Sequence, residues 1–317
     1  MHNMARPLRI KGVLAATALF MLAAAWPALG QQASGEEALP AGGLVLVANG
    51  AVQVESQDVV IAADRIRITS VLRNTGERDV NLLVSFAMPD LDAASIWEQP
   101  PLLPRSGNDN FVEAVTTADG EQVVPRLEQR ATALGLDVTD TLTGLGIQLF
   151  PYASGLQSRI DALADPVKED LAARGILRPN AQGSGLLPAW TLRSTIWWRQ
   201  LFPVGKAVTM AHTYRPVVGR PVGSLAAFER SVCLDGHEMK RLESAGAARL
   251  TVVSFQATVG ATWADPIGVF RLTIEKPSRN AEVATCRTDL VVASPLQLEW
   301  SARDHSHEDD LVVLFAE

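Results

Sequence analysis

The sequence predicts a mainly β protein, an antiparallel β-sandwich with a helical insertion in the middle of the chain. Three observations carry that expectation. Apolar residues recur at every second position through several segments, proline and glycine turns punctuate those segments, and no stretch shows the strand–helix–strand rhythm of a parallel doubly wound sheet. A hydrophobic content of 47% over 317 residues is ample for a core.

The first thirty residues read as an export signal. Arg6, Arg9 and Lys11 make a basic start, and Gly12 to Ala25 is an unbroken run of apolar or small residues. Ala28-Leu29-Gly30 then supplies the small residues a signal peptidase reads. Spanning a membrane takes about 20 apolar residues, whereas this run ends short of Pro27. Cleavage is expected between Gly30 and Gln31, leaving residues 31–317 as one β-rich unit, periplasmic or extracellular, with no stable membrane anchor. Loss of residues 1–30 removes three basic and no acidic side chains, so the formal charge moves from −7 to −10. Such a balance argues against nucleic acid and anionic lipid as partners, because phosphates demand a basic face.

Order is expected from Ala41 onward. Arg65 to Leu72 alternates, with Ile66, Ile68 and Leu72 on one face, and Val80, Leu82, Val84, Phe86 and Met88 alternate again after the turn residues Asn74-Thr75-Gly76-Glu77. These two runs are expected to form an antiparallel hairpin. Past an Asp119-Gly120 turn the pattern becomes helical, and residues 126–180 are read as the insertion. There Asp165 is placed to cap a helix with Pro166 at its first position and Gly175 past its end, while Leu156, Ile160 and Leu163 make a helical stripe. Trp190, Leu192, Ser194, Ile196 and Trp198 share a strand face, Phe202-Pro203-Val204-Gly205 turns the chain, and Val208, Met210, His212 and Tyr214 line the next strand. That is expected to be a second hairpin. A short helix around His237 to Leu242 and strands at 250–259, 268–275, 296–301 and 311–315 complete the reading.

Cys233 and Cys286 are the only cysteines. In an oxidising compartment they are expected to pair as a structural disulfide, for which the chain-entropy account gives at most about 4 kcal/mol. No spacing supports a catalytic or metal-binding thiol.

Chemistry is sparse. His305, His307 and Asp309 lie in an Asp/His-rich run that could hold a divalent ion, but zinc needs three or four convergent ligands and the run reads more simply as a polar turn. Asp58, Asp90, Asp92 and Glu98 would serve a carboxylate-based hydrolase only if the fold brought them together. No Gly-x-Ser-x-Gly elbow is present. His212 and Tyr214 are weak binding candidates on an apolar strand face. Trp197 is out of phase with Trp190, Ile196 and Trp198, so an outward ring could stack on a sugar or a partner protein, but the simpler reading packs it under the helical insertion; Trp263 is a further aromatic of that kind.

Six motifs in order, Ala41-Gly42-Gly43-Leu44-Val45, Arg73-Asn74-Thr75, Val84 to Asp90, Gln200-Leu201-Phe202-Pro203, His212 to Gly219 and Trp263 to Leu272, make the chain resemble the bacterial exported family catalogued as domain of unknown function 4424. The resemblance implies an exported single-domain protein and assigns no catalytic residue. The order of elements also resembles the N-terminal β-sandwich domain of inter-alpha-trypsin inhibitors, which implies two hairpins packed face to face. The reading is a non-enzymatic binding or structural module of the cell envelope, with no cofactor and with an envelope protein or a glycan as partner. Its alternatives are a metal-dependent or carboxylate-based hydrolase and a glycan-binding module using exposed tryptophan.

Overall fold

The computed structural model describes residues 38–46, 50–98, 101–105, 109–181, 183, 185–219, 230–244, 249–257, 266–306 and 310–317. The expected signal peptide, its Gly30/Gln31 cleavage point, Trp263, His307 and Asp309 lie outside the described residues.

Twenty strands and five helices are described. The first half holds β1 (Ala41–Gly42), β2 (Val45–Leu46), β3 (Val52–Ala62), β4 (Ile66–Asn74), β5 (Val80–Ala87), β6 (Leu91–Asp92), α1 (Ala93–Glu98), β7 (Val115–Ala118), β8 (Glu121–Gln122), β9 (Arg126–Ala133) and β10 (Leu136–Asp137). Next come α2 (Thr139–Gly144), α3 (Leu156–Asp161), α4 (Asp165–Ala173), β11 (Leu177–Pro179), β12 (Leu186–Pro188), β13 (Thr191–Phe202) and β14 (Ala207–Tyr214). The last part holds α5 (Gly236–Ser244), β15 (Leu250–Gln256), β16 (Ile267–Glu275), β17 (Glu282–Ala284), β18 (Val291–Ser294), β19 (Gln297–His305) and β20 (Leu311–Ala316).

The protein is mainly β and its sheets are mostly antiparallel. An eight-stranded sheet runs β18-β19-β16-β3-β4-β14-β7-β8, a six-stranded path runs β10-β9-β13-β5-β2 with β6 beside β13, and a four-stranded sheet runs β1-β15-β20-β17. Two pairings, β16 with β3 and β1 with β15, are parallel. The principal core draws on all three sheets: Val59, Ile61, Ile66 and Ile68 from the first, Val84, Phe86, Leu192 and Trp198 from the second, Val253, Phe255, Val313 and Phe315 from the third.

Neither expected hairpin forms. β4 pairs with β14, and β5 pairs with β13. The turns at 74–79 and 203–206 therefore carry the chain from one sheet to the other, and the two arches lie one upon the other. The physical reason is burial: both alternating runs on either side of each turn have apolar faces, and folding the chain across the sandwich points both inward, where a flat hairpin would leave them side by side on one sheet. Asn74 fastens the two arches. Fully buried, it donates from Nδ2 to the carbonyls of Arg78 and Phe202 (both 2.8 Å) and accepts from the Gly76 amide at Oδ1 (2.9 Å). Its backbone carbonyl accepts from the Gly205 amide (2.9 Å), and its backbone amide donates to Lys206 (3.3 Å).

The helical insertion is shorter than expected. Residues 126–133 are the strand β9, registered along β13 from Arg126 opposite Trp197 to Thr132 opposite Thr191; the Leu134-Gly135 turn, both residues at positive φ, leads into β10. Helices occupy 139–173 instead. They close a second apolar cluster of Leu142, Ile147, Leu156, Ile160 and Leu171 around Trp190, whose Nε1 donates to the Leu149 carbonyl at 2.8 Å. Asp165 is the first helical residue of α4, not its cap; Ala164 holds the cap position, and Asp165 pairs with Lys168 at 2.8 Å. Pro166 is accordingly the second helical residue, one position later than expected, while the positive-φ Gly175 falls past the helix end where the sequence placed it.

Among the described residues no helix is long and apolar enough to cross a membrane.

Candidate functional site

His212 and Tyr214 belong to the sealed core. His212 is fully buried on β14, its ring 4.3 Å from Phe86 and its Nδ1 2.8 Å from the Thr116 hydroxyl. Burial pushes its pKa down to about 3, so the ring is neutral. Nε2 has no hydrogen-bond partner among the described residues. Tyr214 donates to the Ala41 carbonyl at 3.0 Å, and burial raises its pKa. Neither side chain reaches solvent as a ligand group would require.

The candidate carboxylates are engaged separately. Asp58 on β3 pairs with Arg271 (2.9 Å), and Asp90 pairs with Arg193 (3.0 Å). Asp92 accepts from the Ser95 hydroxyl (2.6 Å) and the Ala94 amide (3.1 Å). Asp58 lies in the eight-stranded sheet, whereas Asp90 precedes β6 and Asp92 ends it beside the six-stranded one, and each is engaged by different partners. Among the described residues no three His, Cys, Asp or Glu side chains cluster to hold a metal.

Cys233 and Cys286 form a disulfide with a Cα–Cα distance of 4.8 Å. It ties the segment before α5 to the loop after β17, and Cys286 lines a cavity of about 480 Å³. Small ligands are held in pockets of about 300–1,000 Å³ that combine apolar walls with a few polar groups. Here the apolar lining is Phe255, Phe270, Leu272 and Leu311, while Trp300 and His305 supply aromatic surface and Arg287, Arg303, Asp304 and Asp310 supply charge.

The strand register assembles these groups. β19 runs antiparallel to β16, with Trp300 opposite Leu272 and Ala302 opposite Phe270. Strict alternation from Trp300 would send His305 to the opposite face. Asp304 interrupts it with φ +49°, and His305 turns to lie 4.7 Å from Phe270 and 5.2 Å, edge-on, from Trp300. Asp tolerates the left-handed region better than most residues. Opposite this kink stands Gly268, where a Cβ would come within 2.7 Å of the Glu55 carbonyl oxygen, so only glycine lets β3 and β16 approach this closely. Arg287, the neighbour of Cys286, lies over the Trp300 ring at 3.7 Å and bonds Asp289 at 2.9 Å. No ion pair or hydrogen bond engages Arg303 among the described residues.

The sequence offers His305 as a metal ligand in a polar turn; in the structure it ends strand β19 and lies against the Phe270 and Trp300 rings. Phe270, Trp300, Arg287 and Arg303 were missed. The usable signals were local: Arg287 follows a cysteine, and Trp300 and His305 share one short run. Nothing local reveals that Phe270 joins them in one ring cluster.

Trp197 is half-buried on the outer face of β13, with the Arg126 guanidinium 5.3 Å from its ring centre. It packs beneath an arginine of β9 and not beneath the helices.

The family described as domain of unknown function (DUF4424) matches residues 34–314. No curated protein matches the chain. Among solved structures, a candidate nutrient binding protein from Legionella pneumophila is similar at 14% identity and a TM-score of 0.49, covering 88% of this chain and 71% of that one. Two M1 zinc metallopeptidase structures from Deinococcus radiodurans are similar at 9% identity, with TM-scores of 0.26 and 0.24. They cover 85% and 84% of this chain, which spans only 43% and 42% of theirs. Neither likeness assigns a role to this chain.

Proposed function

We propose, for a chain that belongs to the DUF4424 family, that it is an exported binding protein whose Phe270–Trp300–His305 cavity takes a small solute with an apolar body and a carboxylate. The carrying observation is the convergence of aromatic rings with Arg287 and Arg303 around one cavity of about 480 Å³. Apolar walls hold the body by desolvation, and a guanidinium at the mouth pairs with a carboxylate through charge-assisted hydrogen bonds. Asp304 and Asp310 on the same lining disfavour a multiply charged anion.

Export supports this reading. The basic, apolar and small-residue sequence of residues 1–30 has the composition of a cleaved signal, and the disulfide belongs to an oxidising compartment. Residues 31–317 then act in the periplasm or outside the cell.

Calorimetric titration of the purified protein with benzoate, phenylalanine and benzylamine tests the proposal. Benzoate or phenylalanine is expected to bind and benzylamine to bind at least tenfold more weakly, with Trp300→Ala and Arg303→Ala each lowering affinity by at least tenfold. Binding unaffected by either substitution, or a preference for the amine, would remove the cavity as a carboxylate site.

A further inference from the structure

A second surface lies on a different sheet. The outward face of the six-stranded path is set by register: Arg126, Glu128 and Arg130 on β9 stand opposite Trp197, Thr195 and Arg193 on β13, and the outward row of β5 sets Ser85 opposite Trp197 and Leu83 opposite Arg199. Four arginines therefore share one sheet face in a chain whose formal net charge is −7. Two of them are neutralised locally, Arg130 by Glu128 at 2.8 Å and Arg193 by Asp90 at 3.0 Å. Arg126 covers one side of the Trp197 ring. Arg199 is exposed, and among the described residues no ion pair or hydrogen bond engages its side chain.

Among the described residues no second cation covers the other side of Trp197. Its cross-strand partner there, among the same described residues, is Ser85, too small to shield an indole, with the exposed Leu83 two residues along β5 opposite Arg199 and the exposed Leu201 further along β13. Neighbouring strands are about 4.8 Å apart and alternate residues about 6.8 Å apart. The indole side, the shallow floor at Ser85 and the Arg199 guanidinium thus bound a shelf the size of one ring, with a cation one step along the strand.

We propose that this shelf binds an acidic glycan, one sugar ring lying on Ser85 against Trp197 with its carboxylate on Arg199. Flat aromatic rings bind the apolar faces of sugars, and a guanidinium grips a carboxylate bidentately. The pattern disfavours nucleic acid, whose phosphates bring one charge per about 1.7 Å and need a continuous basic track; here the cations left over, Arg126 and Arg199, are sparse and flank an aromatic.

Affinity electrophoresis of the purified protein through gels containing polygalacturonate, dextran or double-stranded DNA tests it, with phosphatidylglycerol vesicles as a flotation arm. Retardation is expected in polygalacturonate and not in dextran. Trp197→Ala and Arg199→Ala should each weaken it at least tenfold with an unchanged melting temperature, whereas Arg67→Ala, an exposed arginine on the eight-stranded sheet, should have no effect. Absence of retardation, retardation that survives Arg199→Ala, or equal capture by DNA or by the vesicles would each overturn the proposal. Because none of these residues lines the cavity around Trp300, its failure leaves the small-solute reading standing, and the reverse also holds.

Discussion

His212 and His305 each lie against a phenylalanine ring, at 4.3 Å and 4.7 Å, yet they stand in opposite surroundings. His212 is sealed between Phe86, Tyr214 and Thr116 on strands paired along their length. His305 ends its strand beyond a left-handed Asp304 and faces a cavity rimmed by arginines. The contrast teaches that an aromatic–histidine pair is structural where strand pairing closes over it and becomes ligand-accessible where a backbone kink and a sheet end leave it open.

The largest expected effect strikes the sealed side. Phe86→Ala should lower unfolding free energy by about 3–5 kcal/mol, because it empties a site at the centre of the sandwich. Urea titration followed by circular dichroism measures this, and a loss under about 1 kcal/mol would show that the two histidine environments are more alike than their burial suggests.

Acid should act through His212. Its folded pKa of about 3 lies below the ordinary 6.5, so the unfolded chain takes the proton first. The neutral ring's contribution is complete above pH 6.5 and is lost as pH falls from there toward 3, by up to about 4 kcal/mol. His212→Gln should flatten that part of the stability–pH curve, whatever it costs at neutral pH. An equally steep curve in the variant would assign the acid sensitivity to other groups.

Reducing the Cys233–Cys286 bond should cost about 2–4 kcal/mol and should also loosen the cavity side, since Arg287 follows Cys286. Comparing urea midpoints and benzoate affinity with and without reductant separates the two consequences. Asn74→Ala should cost about 1–3 kcal/mol by leaving the carbonyls of Arg78 and Phe202 without their donor, with no change in cavity affinity. Trp300→Ala completes the series from the open side: its ring is only partly buried, so stability should fall by about 1 kcal/mol or less while binding is lost, readable as a small shift in melting temperature beside a flat titration.

Much of the fold was legible because alternation is a local property. Runs such as Ile66-x-Ile68 and Leu82-x-Val84-x-Phe86 declare strands whichever sheet receives them, and Asn74-Thr75-Gly76 declares a turn. Which strand then pairs with which was not local. The same alternating pattern on both sides of Asn74 fits a hairpin and an arch, and only simultaneous burial of both apolar faces against the other arch selects the latter. Residues 126–133 misled for a related reason: Arg126, Glu128 and Arg130 are an outward strand row, but their polar composition beside true helices carries no strong strand signature.

By itself, then, the sequence determined the β class, the turn positions and the cysteine pair, all consequences of composition and short-range spacing. Tertiary structure alone decided that His212 is walled in and His305 is open, that Arg287 rests on Trp300, and that four arginines share a face with Trp197. The first and last depend on register between strands far apart in the chain, where a shift of one residue turns every side chain to the other side of the sheet, and the Arg287 contact depends on a loop held next to the long-range Cys233–Cys286 bond.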